Sequence, residues 1–158
     1  MNKYKEYLKH RSSEINNFDI IFAFNKGQLE EGIKKLGVSS KDELISVNYG
    51  GFIRKKDKDS YVAIISNLNK ELQKYIEEDD VFVVQMFKTE MSNLEYGISY
   101  DDGEIISSCG ISLDKFCADS RLQRLFGWAS DEYLSDYNKM WDIWLGILIM
   151  IKRFNLDG

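Results

Sequence analysis

The chain has 158 residues, of which 44% are hydrophobic, 30% charged and 13% aromatic, and its formal net charge is −5. This composition predicts one globular domain over residues 1–158, and the negative charge argues against direct nucleic-acid binding, which depends on Lys and Arg. Two cysteines without a signal-peptide pattern predict a reducing, cytoplasmic setting and no disulfide.

The N-terminal third predicts helices around a short strand. Residues 3–16 repeat apolar side chains at helical spacing, and the apolar run 18–24 predicts a buried strand. Asn25 is a predicted N-cap, and Gln28 completes a capping box. Gly37 is expected to end that helix in the left-handed conformation.

The middle of the chain predicts an extended pair of segments and then two helices. Residues 45–54 are extended and are broken at Gly50-Gly51, where positive φ is tolerated. A long helix is expected from Asp57 or Asp59 to about Glu78. The next helix begins in an acidic first turn and runs to about residue 94.

Residues 96–109 leave two alternatives open. The alternation of Tyr96, Ile98 and Tyr100, followed by Asp102-Gly103, is typical of a hairpin, whereas residues 104–109 before Gly110 fit a short helix with a glycine cap. A further helix is expected from Asp119 or Ser120 to about residue 134, and a separate hydrophobic helix over residues 137–154. The predicted fold is therefore α+β and mainly helical, with six or seven helices and a small two- or three-stranded β element.

The hydrophobic C-terminal helix is apolar on nearly every side. Between Met140 and Phe154 the apolar side chains cover an arc of roughly 260°, whereas a helix packed on one domain needs a stripe of about 100°. Its apolar run is too short to cross a membrane, which takes about 20 residues. We expect one flank to pack on the protein's own core and the other to form an interface. The predicted interface residues are Trp141, Trp144, Leu145, Leu148 and Ile149.

Gly50, Gly51, Arg54 and Lys55 are candidates for anion binding. Paired glycines can present successive backbone N–H groups, and the two cations could complete the site. The alternative is a plain turn between extended segments.

Glu90, Asn93, Glu95 and Tyr96 could form a polar pocket at the end of a helix. They could equally cap the helix and hold the following turn in place.

No residue pattern predicts catalysis, a cofactor or a metal site. His10 is the single histidine, so the common triads and zinc sites lack their parts. Cys109 and Cys117 are expected to be small buried side chains.

The segments FAFNKGQLEEGIKKLGV (22–38), NYGGFIRKKD (48–57) and QMFKTEMSNLEYGISYD (85–101) resemble a family of small proteins of unknown function. These proteins are carried by phages, plasmids and conjugative elements of Firmicutes and Bacteroidetes. The resemblance covers roughly residues 3–135, although Leu94 stands where the family pattern usually has His. It implies that residues 104–110 are helical and that the hydrophobic C-terminal helix is an addition.

The expected function is that of a non-enzymatic accessory protein of a mobile element, acting in the cytoplasm of a bacterial host cell. It would bind and inhibit a host defence component, as anti-CRISPR proteins do, or form a homodimer through the C-terminal helix. The alternative is a small enzyme or an anion- or nucleotide-binding protein that uses residues 50–55 with Glu90 and Tyr96.

Overall fold

The computed structural model describes residues 1–47 and 50–154, with side chains for all of these except Gly146 and residues 148–154. Over these residues the chain is mainly helical α+β, as predicted, with eight α-helices and a three-stranded antiparallel sheet. The helices are α1 (Lys3–Asn16), α2 (Lys26–Leu36), α3 (Lys58–Glu78), α4 (Asp80–Asn93), α5 (Tyr96–Ser99), α6 (Asp102–Ser108), α7 (Leu113–Ala118) and α8 (Ser120–Phe154). The strands are β1 (Ile21–Phe22), β2 (Leu44–Val47) and β3 (Gly51–Arg54).

The chain divides into two compact units. The first, which we call the sheet unit, is Glu6–Tyr75. The second, the helical unit, consists of Met1–Lys5 and the chain from Ile76 onward. The single domain expected from the sequence stays a prediction.

The sheet unit is built on three antiparallel strands in the order β1-β3-β2. Helix α2 covers one face, where Ile21, Leu36 and Leu44 form a buried core. Leu29, Ile33 and Phe52 pack against that core. The predicted break of the extended segments at Gly50 is confirmed, since Gly50 has a φ of +75°.

The predicted ends of α2 are confirmed. The Asn25 side chain accepts a hydrogen bond from the Gln28 backbone N–H at 2.9 Å. The Gln28 side chain reaches back to the N–H of Phe24, at 2.8 Å, one residue before the position that a capping box usually uses. Gly37 has a φ of +66°, which glycine adopts without the steric cost of a side chain.

The buried strand predicted over residues 18–24 is wrong in extent. The strand comprises only Ile21 and Phe22, with one further backbone hydrogen bond from the Ala23 N–H to the Gly50 carbonyl at 3.1 Å. Phe22 and Phe24 are 53% and 77% exposed. The strand lies at the edge of the sheet, so β3 alone pairs with it. An apolar run predicts burial, but it cannot show that an edge strand of two residues leaves part of the run uncovered.

Helix α4 lies at the centre of the helical unit. Its side chains Phe82, Val83, Met86, Phe87 and Met91 are all fully buried. The first half of α8 packs against it, and Phe126 meets Phe87 edge-to-face at 5.1 Å between ring centroids. These aromatic and aliphatic side chains form the hydrophobic core of the unit.

The acidic first turn predicted for α4 is present. Asp79 is its N-cap and accepts a hydrogen bond from the Phe82 N–H at 3.0 Å. The hydrogen bond from the Lys3 ammonium lowers the pKa of Asp79, and the backbone hydrogen bond from Phe82 lowers it further. The capping carboxylate is therefore ionised at neutral pH.

The helical alternative for residues 96–109 is confirmed. The segment forms α5 and α6, and Asp101 caps α6 by accepting a hydrogen bond from the Glu104 N–H at 2.9 Å. The described residues form eight helices, above the predicted six or seven.

The prediction that residues 137–154 form a separate helix is wrong, because α8 runs without a break through 35 residues. The residues between the two predicted helices include no Gly or Pro. Ser and Asp cost at most about 0.7 kcal/mol in a helix interior, so they do not end it. None of the described helices is long and apolar enough to span a membrane.

Candidate functional site

The second half of α8 is exposed on all of its described sides. We call residues 138–154 the α8 tail. Met140, Trp141, Ile143, Trp144 and Leu145 are 51–63% exposed. In the first half of the same helix, Leu122, Leu125 and Ala129 have no exposed surface.

The structure places Trp141, Trp144 and Leu145 on this tail as candidate interface residues, while Leu148 and Ile149 lie outside the residues whose side chains are described. The flank expected to pack on the protein's own core is not found among the described tail residues. Trp141 meets Tyr137, at the end of the buried half, in an edge contact at 6.2 Å between ring centroids. For the tail residues whose side chains are described, this part of the expectation is therefore wrong, and the rest of the flank lies outside those residues.

A row of aromatic rings joins the tail to the core. Tyr133 and Tyr137 stack at 6.0 Å, and Tyr133 also contacts the buried Tyr96 at 6.2 Å. Because positions 133, 137 and 141 are four residues apart, their side chains share one face of α8. The row therefore marks where the contacts of α8 with the core end.

Helix α5 packs directly against this row. A Cβ atom on Gly97 would lie 2.7 Å from the Tyr137 ring, so the glycine allows the close approach. Glu95 and Tyr100, which flank α5, have φ values of 51° and 50°. A left-handed residue other than glycine costs roughly 1–2 kcal/mol, and the burial of Tyr96 between them offsets this cost.

A shallow groove of about 330 Å³ lies beside the base of the tail. Ile98, Tyr137 and Met140 supply its apolar lining, and Lys88, Glu95 and Asp136 its charges. Ile98 is 66% exposed and extends the apolar surface from α8 onto α5. The sequence did not indicate Ile98, because its alternation with neighbouring tyrosines fitted a hairpin strand as well.

Three of the four residues of the predicted polar pocket are divided between two hydrogen-bonded groups. Glu90 accepts hydrogen bonds from the Tyr4 hydroxyl at 2.8 Å and from the Asn93 amide at 3.3 Å. The Tyr96 hydroxyl instead donates to Asp102 at 2.6 Å.

These bonds agree with the structural alternative for this cluster. Burial raises the pKa of Tyr96 and the hydrogen bond to Asp102 raises it further, so the hydroxyl remains a donor. Glu95 is exposed at the start of α5. The hydrogen bonds hold Tyr4 to α4 and the start of α6 to α5, and the pocket stays a prediction.

The anion-binding candidates lie at the β2–β3 turn and at the end of β3. A Cβ atom on Gly50 would lie 2.8 Å from the Phe24 ring, and Gly51 is paired within β3. The Arg54 guanidinium binds Asp57 and also binds Asp19 at 2.7 Å, and the hydrogen bond to Asp57 is the main reason that its pKa is raised. Two carboxylates therefore already neutralise Arg54.

Lys55 lies exposed on a 3-10 turn at Lys55–Asp57 that follows β3. Of the two cations predicted to bind an anion, Lys55 is therefore the one that is exposed to solvent, whereas Arg54 is paired. The proposed anion site stays a prediction, with one of its two cations engaged.

The cysteines differ in their surroundings. Cys109 is buried, as predicted, and burial raises the pKa of its thiol far above the usual range. The prediction that Cys117 is buried is wrong, because it lies exposed on α7. Within residues 1–47 and 50–154, no three His, Cys, Asp or Glu side chains are grouped so that they could hold a metal ion.

The comparisons with known proteins return a family of unknown function. Its model, described as a family of unknown function (DUF7659), matches residues 3–132. This range is close to the 3–135 expected from the resemblance, and it ends before the α8 tail. No curated protein and no solved structure matches the chain. The chain belongs to the DUF7659 family of unknown function.

Proposed function

We propose that the protein acts by binding another protein, without catalysis, and that the α8 tail is the binding element. The observation that carries this proposal is the exposure of Trp141, Trp144 and their apolar neighbours on one helix. Patches of this kind, with large aromatic side chains, are typical of protein interfaces.

The distribution of these side chains around the helix favours a groove as the binding partner's surface. At 100° per residue, the described apolar residues between Met140 and Ile147 cover an arc of roughly 200°. A two-helix seam covers only a narrow stripe, whereas a groove encloses a helix on several sides. The 17 residues of the tail are about 25 Å long, a length that one such groove can accept.

The apolar area that binding would bury indicates how many tail residues must contact the partner. A buried aromatic covers about 150–250 Å², so two half-exposed tryptophans have about 200 Å² left to bury. At about 25 cal/mol per Å² this amounts to about 5 kcal/mol. Association costs about 4–15 kcal/mol, so Trp141 and Trp144 must act together with the rest of the tail.

We assign the partner to the defence machinery of a bacterial host, with a CRISPR effector as the specific target. Support comes from the resemblance to proteins of phages, plasmids and conjugative elements. It also comes from the exposed carboxylates of Asp131, Glu132 and Asp136, which precede the tail on α8. Glu132 binds Lys88 at 2.8 Å and Asp136 lies 3.6 Å from Lys139, so a basic partner would have to compete with these lysines. A carboxylate surface next to an apolar anchor is complementary to the basic channels that hold nucleic acid.

The test is a plasmid-interference assay in a bacterial strain whose CRISPR system targets the plasmid. Expression of the wild-type protein is expected to restore transformation. Trp141→Glu together with Trp144→Glu should abolish the effect, because charges replace the two anchors. The matched control is Trp128→Glu, since Trp128 lies on the same helix and is 54% exposed but stands before the tail.

Two outcomes would contradict the proposal. Undiminished interference in the presence of the wild-type protein would reject inhibition of that effector. Sedimentation equilibrium that shows a stable homodimer, lost on substitution of Trp141 and Trp144, would assign the tail to a second copy of the chain. The enzymatic alternative stays a prediction, and the neutralised charge of Arg54 does not favour it.

A further inference from the structure

The sheet unit contains an open cavity of about 380 Å³ on the face of the sheet opposite to α2. Side chains from α1, from all three strands and from α3 line it. Ile53, on the central strand, is fully buried beneath it. The cavity therefore lies within one compact unit and is formed by its secondary structure.

The strand pattern explains why this face of the sheet is apolar as well. Successive side chains of a strand point to opposite faces, so Leu44 faces α2 while Ile45 lines the cavity. In β3, Phe52 faces α2 while Ile53 lines the cavity. A sheet that is apolar on both faces requires cover on both. Helix α2 covers one face, and the other retains an unfilled volume.

The charged residues that line the cavity have one sign. Arg11 and Lys58 contribute to its wall, and its described lining residues include no Asp or Glu. The Lys58 side chain is exposed and makes no ion pair with any described residue. Tyr61 adds an aromatic hydroxyl. An apolar interior with cations at its edge selects a ligand that has an apolar body and an anionic head.

The volume limits the size of that ligand. If each heavy atom with its hydrogens needs about the volume of one water molecule, about 30 Å³, then the cavity holds roughly a dozen non-hydrogen atoms. We propose that this cavity is a binding site for an aliphatic carboxylate of about ten carbon atoms, with the chain on the partly exposed Ile45 and Ile65 and the carboxylate at Lys58. The site is separate from the α8 tail and does not depend on the function proposed for it.

The experiment is a calorimetric titration of the full chain with decanoate. One decanoate per chain is expected to bind, and decanol is expected to bind more weakly because its head group is neutral. Lys58→Gln should weaken decanoate binding about fivefold. The matched control is Lys56→Gln, which removes an exposed cation two residues away that does not line the cavity.

A second variant tests the location of the site. Val62 lines the cavity and is 54% exposed, so Val62→Trp should fill the opening without disturbing the fold. Binding should be lost in this variant and kept when Trp141 and Trp144 are replaced by Glu. The proposal is overturned if decanoate does not bind, if decanol binds equally well, or if binding survives Val62→Trp.

Discussion

Replacing Gly32 with Ala sets two opposing effects against each other on α2. Gly32 is buried in the interior of that helix, where Ala is favoured over Gly by about 1 kcal/mol. The added Cβ, however, would overlap Cδ1 of Ile21 and lie 3.1 Å from Cγ1 and 3.2 Å from Cβ of the same side chain. Ile21 is 5% exposed and belongs to the core between α2 and the sheet, so it has little room to move.

The packing effect should win. Forcing an extra methyl group into a packed core costs about 1–3 kcal/mol. After subtraction of the gain in helix propensity, Gly32→Ala is expected to lower the free energy of unfolding by up to about 2 kcal/mol. The substitution should therefore destabilise the sheet unit, contrary to what propensity alone predicts.

The assay is urea unfolding followed by far-ultraviolet circular dichroism, arranged as a double-mutant cycle with Ile21→Val. This second substitution removes only Cδ1, the atom with the worst overlap, and costs about 0.5–1.5 kcal/mol alone. The double variant should lose less stability than the sum of the single variants, by at least about 0.5 kcal/mol. Gly27→Ala, on the same helix, is the control, because its Cβ would meet only Asn25 Oδ1 at 3.5 Å.

A stability of Gly32→Ala above that of the wild-type protein would refute the close packing of α2 on β1. Strict additivity with Ile21→Val would show that Ile21 is not the side chain that Gly32 accommodates. The control should be neutral or stabilised by up to about 1 kcal/mol.

Three further predictions concern the helical unit. Gly97→Ala should destabilise it by about 1–3 kcal/mol in thermal unfolding, because the new methyl group meets a tyrosine ring on α8, and an unchanged melting temperature would contradict that contact. Iodoacetamide should modify one thiol quickly, the exposed Cys117, and should modify Cys109 only on unfolding, so rapid reaction of both in the native protein would be inconsistent with the burial. Asp79→Asn should reduce the loss of stability at acid pH. The hydrogen bond from Lys3 lowers the pKa of Asp79 in the folded protein. The contribution of the Asp79 carboxylate to the free energy of unfolding is therefore complete above the ordinary pKa of about 3.9 and is lost as the pH falls through the lowered value. Urea unfolding at a series of pH values measures this effect, and identical acid profiles for the two proteins would count against it.

Local signals in the sequence were sufficient for most of the helices. The cap at Asn25, the left-handed Gly37 and the acidic start of α4 were all predicted, because each is set by residues within one turn of the chain. The helical form of residues 104–110 was reached through the family resemblance, since the local pattern also fitted a hairpin.

Signals that depend on distant parts of the chain were missed. Phe24 was expected in a buried strand and is 77% exposed. It follows a strand at the edge of the sheet, and the position of a strand within a sheet depends on strands from other parts of the chain. One contact within the same stretch of chain was missed as well, since the hydroxyl of Tyr96 was grouped with Glu90 but binds Asp102, six residues later. Arg54 was expected to bind an anionic ligand, but its guanidinium already binds the carboxylate of Asp19, 35 residues earlier in the chain.

The amino-acid sequence determined the helical character of the chain, its principal helix ends and the excess of apolar side chains on the last helix. These follow from spacing, from capping side chains and from the absence of proline, all of which act over a few residues. Only the tertiary structure decided that the core contacts of α8 stop near Tyr137, and that the second face of the sheet encloses a cavity. Burial and cavity volume depend on which distant side chains share a space, and periodicity along the chain carries no information about that.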